Sequence, residues 1–119
     1  MNKREKYVFL KFIKFVANEL GILNPYKIVL SNDRGKFKTT AYYNPQNGEL
    51  GVYKKGRAVI DIMRSVAHEL VHHQQNQKKQ LNKNVKDIGG PIEDEANAVA
   101  GQLIKKFGYA NPTLDVFNL

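Results

Sequence analysis

No cysteine occurs among the 119 residues. Disulfides and thiolate metal sites are therefore excluded, and the composition suits a reducing compartment. Long apolar runs are missing too, since nothing approaches the roughly 20 residues that a membrane span needs. Lys11 and Lys14 break up the N-terminal apolar stretch, which argues against a signal peptide. Acids are few, 11 Asp and Glu against 19 Lys and Arg, which leaves a formal net charge of +8. The bases are spread over the whole chain, from Lys3, Arg4 and Lys6 to Lys105 and Lys106. Such a field favours nucleic acid or acidic protein surfaces, and equally keeps a small domain in solution. No nucleic-acid motif, internal repeat or low-complexity segment accompanies it. These features predict a single soluble cytoplasmic domain over residues 1–119, with one modest core and no membrane partner.

Histidine is scarce as well, and all three fall in Ser65-Val66-Ala67-His68-Glu69-Leu70-Val71-His72-His73. Residues four apart on a helix sit on one face, so His68 and His72 can aim two imidazoles at one point and hold a zinc ion. Glu69, one residue on, is too displaced to join them as a ligand. It lies within reach of a zinc-activated water, where a general base for hydrolysis belongs. The bland alternative is a polar face carrying two solvated histidines. Val66, Ala67, Leu70 and Val71 argue against it, because a partly buried helix must find partners for its polar groups.

A catalytic zinc takes three protein ligands and keeps one open position. No histidine follows His73, and His73 itself points about 100° away from His72. The third ligand must therefore be a carboxylate. Its best source is Pro91-Ile92-Glu93-Asp94-Glu95-Ala96-Asn97-Ala98-Val99-Ala100, which reads as the start of a helix.

Together these two stretches resemble the gluzincin zinc peptidases, in which a later helix supplies a glutamate ligand to an HExxH pair. The Glu93-to-Asn97 stretch is similar to the ImmA/IrrE-like group and to the single-domain minigluzincins, with Asn97 where many members carry Asp. The resemblance covers about a quarter of the chain. It implies His68, His72 and Glu93 as zinc ligands, Glu69 as general base, and Asn97 as a partner that orients a ligand histidine. Helical geometry favours the same carboxylate. Glu93, Ala96, Asn97 and Ala100 share a face, whereas Asp94 and Glu95 lie about 100° and 200° round from Glu93.

Around these motifs the chain predicts an α+β fold. Val8, Phe9, Phe12, Ile13, Val16 and Leu20 form the stripe of a helix from Lys3 to Leu20, stopped by Gly21, with Phe15 as extra packing. Strands are predicted over Tyr26–Leu30, Phe37–Tyr43 and Glu49–Tyr53, the last two joined by the turn Asn44–Gly48. Short loops suggest a three-stranded antiparallel meander with Glu49–Tyr53 as a charged edge, an ordinary edge strand or, as the gluzincin resemblance implies, the one that binds extended substrate. The HExxH helix should start near an N-cap at Asp61 and end at Gln77, its polar end Gln74–Gln77 having left the core. Leu81 to Gly90 reads as a loop able to gate a cleft. The Glu93 helix should stop at Gly108, and the apolar tail, with Leu114, Val116, Phe117 and Leu119, should pack somewhere, the cleft being one option.

The function this predicts is zincin-like peptide-bond hydrolysis by a zinc metallopeptidase acting on a peptide or protein. Tyr53, His73 and Tyr109 are candidate donors to the transition state. The rival reading is a non-catalytic or latent zincin scaffold that binds a partner or DNA through its positive charge.

Overall fold

The computed structural model describes residues 1–35, 37, 39–78 and 90–119. Its elements are α1 (Lys3–Leu20), β1 (Lys27–Ser31), β2 (Ala41–Asn44), β3 (Glu49–Tyr53), α2 (Val59–Gln77) and α3 (Pro91–Ala110), then 3-10 turns at Pro112–Leu114 and Val116–Asn118. Most of the expected gating loop, 81–89, lies outside the described residues, as do Lys36 and Lys38 next to the second strand.

A capping box opens α1. The Asn2 side chain takes the Glu5 N–H at 2.8 Å, and the Glu5 carboxylate takes the Asn2 N–H at 2.8 Å. Gly21 closes the helix in the left-handed conformation, φ 63°, as its position in the sequence suggests. The stripe Val8, Phe9, Phe12, Val16 and Leu20 is buried against the other helices. Phe15 joins Phe12 around the Phe107 ring, with centroids 5.3 and 5.2 Å from it.

The sheet is mixed, not an antiparallel meander. Its order is β1-β3-β2, with β3 parallel to β1 and antiparallel to β2. The expected edge, Glu49–Tyr53, is therefore the central strand, and Leu50, Gly51 and Val52 are its buried residues. Gly51 does not mark an edge. It makes room for the Tyr42 ring, which lies so close that a Cβ at position 51 would sit 2.1 Å from it. Leu50 and Val52 face the helices together with their cross-strand partners Ala41 and Tyr43, and Ile28 and Leu30 of β1 continue that layer. β2 and β1 are the edges.

Helix α2 buries Val59, Ile62, Met63, Val66, Ala67, Leu70 and Val71, a stripe of helical period, and packs most extensively on α3. It starts two residues before the expected cap. Ala58 is the N-cap and gives no side-chain bond, while Asp61 lies in the first turn and meets Arg64 at 3.2 Å. The Arg57 guanidinium fastens this start by donating to the carbonyls of Tyr53 and Asp61 and to Ser65 Oγ.

Helix α3 also differs from expectation at its end, because Gly108 is helical and the helix runs to Ala110. Gly108 instead gives close passage to the tail. A Cβ there would lie 2.4 Å from Phe117 Cζ. The tail packs on α2, on α3 and at the start of α1, where Arg4 Nη2 donates to the Leu114 carbonyl at 3.0 Å, and Val116 is fully buried. It contributes nothing to the lining of the cleft.

Candidate metal centre

Two helices build the site. Along α2, Ser65, His68 and His72 lie on the flank next to the buried stripe, with Glu69 at the boundary between flank and core. The His68 and His72 rings stand edge to face, with centroids 4.8 Å apart. Helix α3 starts with Pro91 at its first position and buries only the small side chains Ala96 and Ala100 near its beginning. Its first turn can therefore come close to α2, and Glu93 spans both rings. Glu93 Oε1 is 2.5 Å from His68 Nε2, and Oε2 is 3.0 Å from His72 Nε2. One ligand-capable atom from each of the three residues falls within 4.8 Å of the other two.

The electrostatics of this cluster call for a cation. Among the described residues no Lys or Arg pairs with Glu93 or Glu69. The imidazoles are poor substitutes. Burial, above all, lowers the pKa of His68, and the second imidazole adds to that, against the opposing pull of Glu93 and the weaker hydrogen bond from Asn97. Burial, reinforced by the Glu93 charge, pushes the Glu69 carboxyl up from 4.5 to about 8. The His68 imidazole, held towards neutrality by burial, the His72 ring beside it and the Glu93 carboxylate form a donor set that a divalent metal satisfies. His68, His72 and Glu93 thus fit a metal ion. Glu69 Oε1, 3.9 Å from His68 Nε2, lies beside the cluster, not within it.

A cleft of about 480 Å³ opens onto the cluster. Residues 39–43 and Pro45 form one wall, and Arg64, Ser65, His68, Glu69, His72, Glu93 and Asn97 form the other. β2 therefore supplies the cleft edge that the sequence reading gave to Glu49–Tyr53. Tyr53 N–H donates to the Thr40 carbonyl at 2.9 Å, so by alternation residues 40, 42 and 44 bond to β3. Ala41 and Tyr43 turn their backbone groups the other way. The Ala41 carbonyl already accepts Thr39 Oγ1 at 2.8 Å, which leaves the Ala41 N–H and both Tyr43 groups without a partner among the described residues.

None of the three candidate transition-state donors lines this cleft. Tyr109 is exposed near the end of α3, and Tyr53 lies on the opposite sheet face under the Arg34 guanidinium, 4.9 Å from its ring centroid. His73 is buried, bonded through Nε2 to the Asn24 carbonyl at 3.0 Å and through Nδ1 to the Tyr43 hydroxyl at 2.7 Å. It ties α2 to the sheet. The donors that do line the cleft are Arg64, Ser65, Thr39 and Thr40.

The polar end of α2 corrects the reading of the sequence most sharply. Gln74 donates to the Leu20 carbonyl, Asn76 to the Tyr43 hydroxyl and the Pro45 carbonyl, and Gln77 bonds Gly21, Leu23 and Asn24. Gln75 is wholly buried and reaches His72. Of this run only Gln75 enters the core; Gln74, Asn76 and Gln77 are half-buried and tie exposed loop backbone to the end of α2. Its only signal in the sequence is four amides on a helix that is apolar up to that point.

Set against known proteins, the chain matches no family model, no curated protein and no solved structure. Among the described residues no helix is long and apolar enough to cross a membrane.

Proposed function

We propose that this chain is a zinc-dependent, gluzincin-like metallopeptidase with a zincin-type arrangement of helices and sheet. His68, His72 and Glu93 are its metal ligands, and Glu69 is the general base for hydrolysis of a peptide bond. The carrying observation is the convergence of two imidazoles and a carboxylate at the floor of a cleft, with a second, buried carboxylate next to them. The donor set, two nitrogens and one carboxylate without sulfur, suits zinc. When bound, zinc supplies Lewis acidity, polarising the scissile carbonyl and making water easier to deprotonate.

The remaining steps belong to the chain itself. Glu69 takes a proton from the attacking water on a carboxylate oxygen and returns it to the leaving amine. Its burial keeps bulk water from competing for that proton. The outward-facing Ala41 N–H and the N–H and C=O of Tyr43 suit an extended peptide that adds to β2 as a further strand, so a peptide or protein is the substrate. Arg64 and Ser65 are cleft groups able to donate to the developing oxyanion.

Metal analysis and a peptide-library cleavage assay test this together. Wild type should carry about one zinc per chain and cleave peptides, and His68→Ala or His72→Ala should lose both properties. Glu69→Gln should keep zinc and fold while losing at least about 100-fold in cleavage. Zinc retained by both histidine variants, or cleavage that survives Glu69→Gln, would overturn the reading.

A further inference from the structure

We infer that Gln75 is a positioning residue: it sets the tautomer of His72 and makes completion of the metal site depend on the seating of the first turn of α3. The inference rests on the reading of His72 and Glu93 as ligands but not on peptidase activity. Gln75 is 0% exposed, and an amide so buried is costly unless its polar atoms find partners. Here it has three. Nε2 donates to the Ile92 carbonyl at 3.0 Å and to Glu95 Oε1 at 2.9 Å. A backbone carbonyl can only accept, so the nitrogen must lie on that side and the amide cannot be flipped.

Oε1 therefore faces His72 Nδ1, at 2.7 Å. That oxygen is an acceptor, so His72 keeps a proton on Nδ1, and Nε2, which shares a proton with Glu93 Oε2 3.0 Å away when no metal is bound, is the atom left to take the metal. A neutral histidine free in water favours the opposite tautomer, with its proton on Nε2, which would cap the ligand atom. One amide thus holds the ligand-competent form.

The second half of the inference follows from where the amide is anchored. Ile92 and Glu95 flank Glu93 in the first turn of α3. The group that orients one ligand is therefore gripped by the helix end that delivers another. If that turn leaves α2, Gln75 loses both acceptors, its amide is free to turn, and His72 loses its orientation together with its partner Glu93. Metal affinity and α3 seating should rise and fall together.

The test begins with metal-free, histidine-labelled protein, using long-range nitrogen–proton NMR correlations that distinguish the two imidazole tautomers. Wild type should show a proton held on His72 Nδ1, whether or not Nε2 shares one with Glu93. Gln75→Met, of similar shape but without the bonds, should shift His72 towards Nε2–H. Gln75→Glu, which still accepts from Nδ1–H but cannot donate to Ile92 or Glu95, should keep the Nδ1–H form and loosen the start of α3, seen as faster amide exchange there. Zinc affinity, measured without substrate, should fall by about 10–100-fold in both variants. An Nε2–H tautomer in wild type overturns the proposal even if a variant fails to fold. So does a Gln75→Met protein with unchanged zinc affinity. Loss of the peptidase reading alone would leave these outcomes untouched, because none of them involves cleavage.

Discussion

Glu69 carries a cost that can be measured in the absence of metal. With its carboxyl raised from 4.5 to about 8, the folded protein keeps a proton that the unfolded chain releases between those values. The folded state then binds more protons, so stability falls as pH rises through that window. His68, lowered from 6.5 by burial, works the other way on the acid side, where the unfolded chain takes up the extra proton and stability falls as pH drops. Between pH 6.5 and 8 the Glu69 effect stands alone and should remove roughly 2 kcal/mol. Urea unfolding in chelator should show this loss in wild type and its absence in Glu69→Gln; an equal loss in the variant would assign the titration to another group. The ligand pair was legible because fixed helical spacing puts residues 68 and 72 on one face whatever the rest of the fold does. Glu93 was legible because it shares its face of α3 with Ala96 and Ala100, the small residues that the helix buries near its start. Gln75 was not. An amide after an apolar run reads as helix leaving the core, and only the position of Ile92 and Glu95 in space turns it inward.

At the level of elements, the strands were readable and their neighbours were not. Glu49–Tyr53 lies where its alternation and the preceding turn put it, since hairpin chemistry is local. Which strand takes the centre depends on how the sheet meets the helices. Leu50 and Val52 bury fully only with β1 on one side and β2 on the other. The link 32–40 therefore carries the chain past the central position to the far edge, an outcome no local pattern encodes. The turn that feeds β3 offers a sharp test. Gly48 and Gly56 share φ +71°, but a Cβ at position 48 would lie 2.7 Å from the Pro25 carbonyl and 3.2 Å from His73, while at position 56 it meets nothing. Gly56→Ala should cost about 1 kcal/mol for the left-handed backbone, and Gly48→Ala about 2–3 kcal/mol or more. Equal losses in thermal unfolding would mean that the β3 turn does not need its close approach to β1 and α2.

For the molecule as a whole, the tail closes the core without covering the cleft. Its apolar residues were correctly expected to pack, but sequence alone left the surface open, the cleft being one option. Gly108 decides the surface, because the missing side chain lets Phe117 settle on α3 and draws Val116 inward. Removing residues 111–119 should therefore lower stability without releasing any hidden activity. Val116→Ala should cost about 1–3 kcal/mol in denaturant unfolding. Higher peptide turnover by a folded, truncated protein would show that the tail shields the site after all. The separation of the ligands has one more consequence, in terms of polymer statistics. His72 and Glu93 lie 21 positions apart, on two different helices. An ion that joins them closes a loop of that length in any state that keeps it bound, and by analogy with a covalent cross-link removes roughly 3 kcal/mol of chain freedom from the competing open states. In a domain without a single cysteine, a metal held by this cluster would then also serve as the rivet that a disulfide supplies elsewhere.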